Sequence, residues 1–392
     1  MPTVLVANPT SDVYGSDLQV LESVAGLRER GWEVVVTSPR AGPLDDRLRA
    51  AGAAVLHLPV PVLHRSDASL AGVAGLLRTG MAALPKMRGV VQHVAPSVVY
   101  VNTITVPWWL LAARSMGVSA LCHVHEAEAR DHRRVQQALA APLFLADVAV
   151  VNSRTTQEAL CAVAPRLQPR TRLVHNGVAG PPVPPRPPHR TTPGFRIVVV
   201  GRLSARKAPD VALESTALLR SRGHDVRIEV CGTAVPGQEA FERRLRQRAD
   251  QPDLRGAVEF AGYSSPIWPS LERADALVAP SLGESFGNAV VEAQLACRPV
   301  VATAVQGHLE TVLDGVSGLL VPTEDPESMA RATQRLMEDR ALADSLAVAG
   351  MERARALFGT TAYREAIGSV VEGLAPAPGR RTARRRSAHA SA

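Results

Sequence analysis

Two carboxylates eight positions apart, Glu284 and Glu292, and two cations on one short loop, Arg202 and Lys207, have the types and spacing to hold a phosphorylated ligand. The cations follow a β-branched run ending at Val200, in the segment Gly201-Arg-Leu-Ser-Ala-Arg-Lys207. Gly201 permits a tight turn at a strand's carboxyl end. Arginine suits bidentate phosphate contacts and lysine supplies a compact charge. A solvated basic loop ahead of a helix is the other reading. Downstream, in Ala279-Pro-Ser-Leu-Gly-Glu284-Ser-Phe-Gly-Asn288, a strand is expected to end at Ala279 and a helix to start near Gly287 or Asn288. The unpaired N–H groups of such a first turn favour a phosphate. Glu292 falls within an otherwise apolar helical run, 289–296, so it must accept strong hydrogen bonds from something. Paired ribose hydroxyls and an internal arginine are the two candidates.

The first half carries a second set. The loop Asp12-Val-Tyr-Gly15-Ser-Asp17 follows the first strand, and Gly15 just before a helix lets backbone approach a phosphate. An ordinary helix entry capped by Asp17 is the alternative. His123-Val-His125-Glu126 ends another strand; alternation puts 123 and 125 on one side, with 125 already in the loop. Zinc binding by His123, His125 and Glu126 has no fourth spaced ligand, and a histidine bonded to a loop carbonyl is the plainer alternative. Asn102-Thr103, Arg130 and Arg133 are further candidates for contacting an acceptor.

The elements that must position these residues alternate in the βα manner. Strands are expected at 4–6, 33–37, 98–101, 120–124, 148–151 and 172–174. A helix with Leu18, Leu21, Ala25 and Leu27 on its apolar face stops at Gly31, and Thr155 with Glu158 forms a capping box for another. Residues 179–194 hold seven prolines and read as a semi-stiff linker. Alternation restarts with strands at 197–200, 226–231, 258–261, 276–279, 300–303 and 319–321, followed by helical stretches at 326–357 and 360–374. The expected architecture is α/β, with two doubly wound, Rossmann-like domains facing across a cleft. Their bounds are 1–178 on the acceptor side and 195–374 for nucleotide binding, with a basic, disordered tail at 375–392. Ligands of such sheets bind beyond the carboxyl ends of the strands.

Composition excludes several classes. Of 392 residues, 46% are hydrophobic and 21% charged, which fits a packed globular chain. Five of the charges behind the net +7 are Arg380, Arg381, Arg384, Arg385 and Arg386, so the body gives little ground for nucleic-acid binding. The tail and the apolar run 106–112, with Trp108 and Trp109, permit contact with an anionic membrane surface. Cys122, Cys161, Cys231 and Cys297 are widely spaced and argue against a disulfide framework. With no signal peptide at the start, a cytoplasmic location is expected, with peripheral attachment to the inner membrane face as an extension. GxGxxG after the first strand, GxxxxGK[ST], HExxH and Asp-x-Asp are all missing, which speaks against dinucleotide, P-loop and metal–diphosphate sites.

Several ordered motifs together resemble the GT-B glycosyltransferases of family 4. They are Glu284-x7-Glu292 preceded by Pro280-Ser281, the Gly201–Lys207 turn, His175-Asn-Gly-Val178, Pro299-Val-Val-Ala-Thr303, Glu310, and Asp314-Gly-Val-Ser-Gly-Leu-Leu-Val-Pro322. The resemblance covers nearly the whole chain and is densest from 196 to 340. It implies a retaining, metal-independent enzyme with no cofactor besides its substrate. A hexose would move from a nucleoside diphosphate sugar to a glycan, lipid-linked or small-molecule acceptor. It also implies that Arg202 and Lys207 hold the diphosphate and Glu292 the ribose. Glu284 and His125 would face the donor sugar, with Gly15 and the backbone of Ser285, Phe286, Gly287 and Asn288 close to sugar and phosphate. Tyr14 stands where the family often has a glycine, Ala179 where it has Asp, Cys297 where it has glycine, and Gln306-Gly307 where it has a double glycine. A nucleotide-sugar epimerase of related fold and a non-catalytic binding subunit are the competing functions.

Overall fold

In a computed structural model, residues 1–13, 15–63, 70–125, 133–188, 194–234 and 237–376 are described. Tyr14, Glu126, Arg130, Pro193 and the arginines of the tail lie outside them. The chain divides into two compact units: Met1–Gly177 with the segment from Thr361 onward, and Val178–Thr360.

The first unit contains strands β1 (Thr3–Ala7), β2 (Glu33–Ser38), β3 (Ala54–His57), β4 (Val98–Asn102), β5 (Ser119–Val124), β6 (Val148–Val151) and β7 (Thr171–Leu173). They form a parallel sheet in the order β3-β2-β1-β4-β5-β6-β7. Period-two alternation supplies both faces: Val4 and Val6 enter one core, and Leu5 and Ala7 the other. The helices are α1 (Gly15–Glu29), α2 (Leu44–Ala50), α3 (Leu70–Val94), α4 (Trp108–Ser115), α5 (Arg133–Ala140) and α6 (Arg154–Val163). On α1 the fully buried apolar stripe is Val20, Val24 and Leu27, while Leu18, Leu21 and Ala25 are half-buried. Gly31 ends that helix region at φ +79° as expected. The 54–57 strand and the 70–94 helix were not anticipated. The strand is a short, half-exposed sheet edge, and the helix contains Pro85.

The second unit contains β8 (Phe195–Val200), β9 (Val226–Cys231), β10 (Val258–Gly262), β11 (Ala276–Ala279), β12 (Val300–Thr303) and β13 (Leu319–Val321), parallel in the order β10-β9-β8-β11-β12-β13. Its helices are α7 (Pro209–Ser221), α8 (Glu239–Ala249), α9 (Trp268–Arg273), α10 (Asn288–Leu295), α11 (His308–Thr311), α12 (Pro326–Glu338) and α13 (Arg340–Phe358). In each sheet the strand order reverses once, between β1 and β4 and between β8 and β11, and open α/β sheets bind ligands beyond the strand ends at such points.

Four expectations need correction. The last helix, α14 (Thr360–Leu374), packs on the first unit, where Tyr363, Ile367 and Val371 enter the core shared by β1, β2 and α1. Its apolar spacing announces a buried face without saying which sheet it covers. The 326–357 stretch is two helices, because Asp339 leaves helical geometry and its side chain accepts the Leu342 N–H. The helix after Asn152 is capped by Ser153, whose Oγ accepts the Thr156 N–H at 3.0 Å, so Thr155 and Glu158 form no capping box. Trp108 and Trp109 are buried in the first unit's core, which removes the 106–112 run as a membrane contact. No helix among the described residues is long and apolar enough to cross a membrane.

The α14 docking is testable. Tyr363 Oη and Ser23 Oγ lie 2.6 Å apart, both buried, with Ser23 also 3.2 Å from Tyr100 Oη. Tyr363→Phe keeps the ring and is expected to cost about 1–2 kcal/mol, read from the urea midpoint. An unchanged midpoint would show that this hydroxyl does not help to hold the helix.

Candidate functional site

In the second unit, the loops that follow β8 and β11 meet at the reversal of strand order. Leu282 N–H donates to the Arg206 carbonyl at 2.8 Å, and Arg206 Nη1 donates to the Gly283 carbonyl at 2.6 Å. Thr303, at the end of β12, donates its hydroxyl to the Ser281 carbonyl at 2.6 Å. The recess they enclose is lined by Gly201, Arg202, Lys207, Glu284, Gly287 and His308, among others. Sequence reasoning named five of these six.

Lys207 Nζ forms an ion pair with Glu284 Oε2; the two side chains retain 19% and 10% exposure. Burial alone would raise the Glu284 pKa, but Lys207, His308 and Arg206 outweigh it and hold the carboxyl at about 2. Glu284 is thus ionised at neutral pH, and Lys207 is engaged with it in this structure. Glu292, half-buried one turn into α10, behaves oppositely. Burial pushes its pKa up to about 7, with Lys207 offsetting part of the rise. Among the described residues no group hydrogen-bonds the Glu292 carboxylate, so the internal arginine partner considered for it is not found.

Gly287 precedes α10 at φ +103°, and a Cβ there would lie 2.9 Å from His308 Cδ2. Glycine is therefore required for both backbone and space. The Phe286 side chain is 1% exposed and packs edge-on against Phe358 at 5.3 Å, within an apolar cluster with Val291 and Leu295. Only its backbone remains available to a ligand. Ser285 and Asn288 are half-buried on either side of Phe286–Gly287.

The residue that sequence reading missed is His308. It is 1% exposed, bonds the Thr303 carbonyl through Nδ1 at 3.0 Å, and has its pKa lowered to about 4, chiefly by burial. It is neutral at pH 7, and with Nδ1–H donating to that carbonyl its Nε2 is an acceptor. The only signal in the sequence was its place beside Gly307. The Gln306-Gly307 departure also acquires a role. Gln306 adopts φ +31° and its Oε1 accepts the Glu284 N–H at 2.8 Å, while a Cβ on Gly307 would lie 2.4 Å from Phe286 Cα. The strained glutamine thereby braces the Glu284 loop.

The first unit's candidates lie at its own point of reversal. Gly15 opens α1, and His125 stands one residue past β5. His125 Nε2 is 2.8 Å from Asn102 Oδ1, Asn102 Nδ2 donates to Asn8 Oδ1 at 2.7 Å, and Asn8 Nδ2 donates to Asp17 Oδ1 at 2.8 Å. Burial lowers the His125 pKa to about 3. The His123 ring lies 4.0 Å from that of His125 between centroids, tilted by 37°, and places Nδ1 2.6 Å from Tyr100 Oη. Each histidine thus has one ring nitrogen in a hydrogen bond to a neighbouring side chain, which does not suit the zinc reading. Thr103, beside Asn102, holds φ +83°, a conformation costing about 1–3 kcal/mol in a β-branched residue and typical of functional loops. Arg133 begins α5.

Comparison with known proteins agrees with these two halves. Residues 15–177 match the family described as "Glycosyl transferase 4-like domain", and residues 194–339 match "Glycosyl transferases group 1". The chain is 29% identical to the D-inositol 3-phosphate glycosyltransferase of Xylanimonas cellulosilytica, over 96% of this chain and 94% of that one. With the enzyme of the same name from Salinispora arenicola it shares 38% identity, over 39% of this chain and 36% of the relative. That match spans little more than a third of the relative's length. Among solved structures, Anabaena HepE in complex with UDP-glucose superposes with a TM-score of 0.79 at 19% identity, covering 95% of this chain and 99% of the other. Sucrose-phosphate synthase from Thermosynechococcus elongatus gives 0.78 at 21%, with 95% and 99% covered.

Proposed function

Because the chain belongs to the group 1 glycosyltransferases of the GT-B fold, we propose that it moves a hexose from a nucleoside diphosphate sugar to a hydroxyl acceptor, with retention and without a metal. The observation that carries this reading is the half-buried Glu292 carboxylate one turn into α10, which no group among the described residues hydrogen-bonds, beside the recess that holds Lys207 and Glu284. A vicinal diol such as ribose supplies the two hydrogen bonds that this carboxylate lacks. Arg202 and Lys207 neutralise the diphosphate, and the N–H groups at the start of α10 add to them. As the bond from the sugar's C1 to the leaving phosphate oxygen breaks, these fixed donors stabilise the charge that develops there. The acceptor oxygen bonds C1 and gives its proton to the departing phosphate. Lys207 turns from Glu284 toward the diphosphate when donor binds, freeing Glu284 to meet the sugar.

A small polyol or its phosphate is the acceptor class we favour, on the name of the Xylanimonas relative that matches nearly the whole of this chain. UDP, GDP, ADP and TDP, alone and as sugar conjugates, should be titrated calorimetrically with chelator present. One nucleotide is expected to bind with micromolar Kd. No binding by any of them would overturn the donor reading, and binding only after added Mg2+ would overturn the metal-free one.

A further inference from the structure

Three buried residues, Asp17, Asn8 and Asn102, stand in line behind His125 and are 1%, 2% and 0% exposed. We infer that they are positioning residues whose hydrogen-bond chain locks His125 in the tautomer that carries its proton on Nε2.

The direction of every bond in the chain is determined, because both amides are pinned by groups that can only accept. Asn8 Nδ2 faces the Thr10 carbonyl at 2.8 Å as well as the Asp17 carboxylate, so the nitrogen of Asn8 is on that side and its Oδ1 on the other. Asn102 Nδ2 then donates to Asn8 Oδ1, with a second, longer contact of 3.4 Å to the Ser16 carbonyl. Asn102 must therefore turn its Oδ1 toward His125. An amide oxygen cannot donate, so His125 Nε2 must. Thr10 Oγ1 donates to the same Asp17 oxygen at 2.8 Å and anchors the chain's far end.

The backbone holds the line in place. Asn8 follows β1 and Asn102 ends β4, the two strands that flank the reversal, and His125 follows β5 beside them. The Thr103 N–H donates to the His123 carbonyl at 2.9 Å, tying the end of β4 to the end of β5. Burial keeps His125 neutral, so the ring holds one proton only. With that proton on Nε2, Nδ1 is an acceptor. A group meeting it must donate, as a sugar hydroxyl does and a carboxylate cannot. The link from tautomer to turnover rests on the donor-facing reading of His125; the tautomer itself does not.

The test is a long-range 1H–15N spectrum of the full chain with 15N-histidine, the His125 signals being assigned by their loss in His125→Gln. In the wild type, Nε2 is expected at a protonated shift and Nδ1 at a bare one. Asn102→Ala should move both nitrogens toward the averaged position and lower kcat by roughly tenfold or more, with nucleotide Kd little changed. A wild-type proton on Nδ1, or an Asn102→Ala spectrum identical to wild type, overturns the inference. If the spectra behave as expected but His125→Ala turns over normally, the tautomer lock stands and the donor-facing reading of His125 falls.

Discussion

Lys207→Ala is expected to cost about 3 kcal/mol of folding stability and to lower kcat/KM by about a hundredfold or more. The stability loss comes from what remains: a Glu284 carboxylate with 10% exposure and no lysine beside it. In the wild type, the Glu284 pKa is depressed from an ordinary value near 4.5 to about 2. Its contribution is present above about pH 4.5 and is lost as pH falls toward 2. Without Lys207, burial becomes the ruling influence and the carboxyl's pKa rises above its unfolded value. The variant's Glu284 contribution is then lost as pH rises, opposite in sign to the wild type. Urea midpoints measured from about pH 3 to pH 8 would show the two trends. The double variant Lys207→Met with Glu284→Gln should recover most of the stability and none of the activity. Parallel pH curves for wild type and Lys207→Ala would mean that the pair does not control this carboxyl.

Glu292→Gln should have opposite effects on stability and on binding. Glu292 has a folded pKa near 7, above its unfolded value, so the stability it contributes is full below about pH 4.5 and lost as pH rises through 7. Because the side chain is only half-buried, the loss is discounted to about 1–2 kcal/mol. Glutamine does not ionise, so the variant should match the wild type at low pH and exceed it at pH 8. Nucleotide affinity should move the other way. Ribose hydroxyls donate best to the ionised carboxylate, so wild-type affinity should strengthen as pH rises through 7. The glutamine variant should bind roughly ten- to a hundredfold more weakly at pH 8, with little pH dependence. Calorimetry in buffers of differing ionisation enthalpy would also show proton release from the wild type alone. Equal affinities at pH 8 would remove Glu292 from the ribose site.

The sequence by itself determined the two α/β units and most of the second unit's recess. β-Branched runs have a period of two and the helices a period near 3.6, and neither depends on what packs nearby. Gly201, Arg202, Lys207, Glu284 and Gly287 were legible because motif spacing fixes them relative to strand ends, and strand ends are local features. Whatever required a distant partner was decided by the tertiary structure. α14 covers the first sheet because Tyr363 finds Ser23, some 340 positions away in the chain. Phe286 turns inward because Phe358 receives it, and Gln306 takes a strained backbone because it holds the Glu284 loop. Asn102 and Asp17 drew notice in the sequence as an acceptor contact and a helix cap, but nothing local joined them to Asn8 and His125 in one line. The direction of the Asn102 bonds is settled only when Asn8 Oδ1 and the Ser16 carbonyl, 94 and 86 positions away in the chain, arrive to accept them.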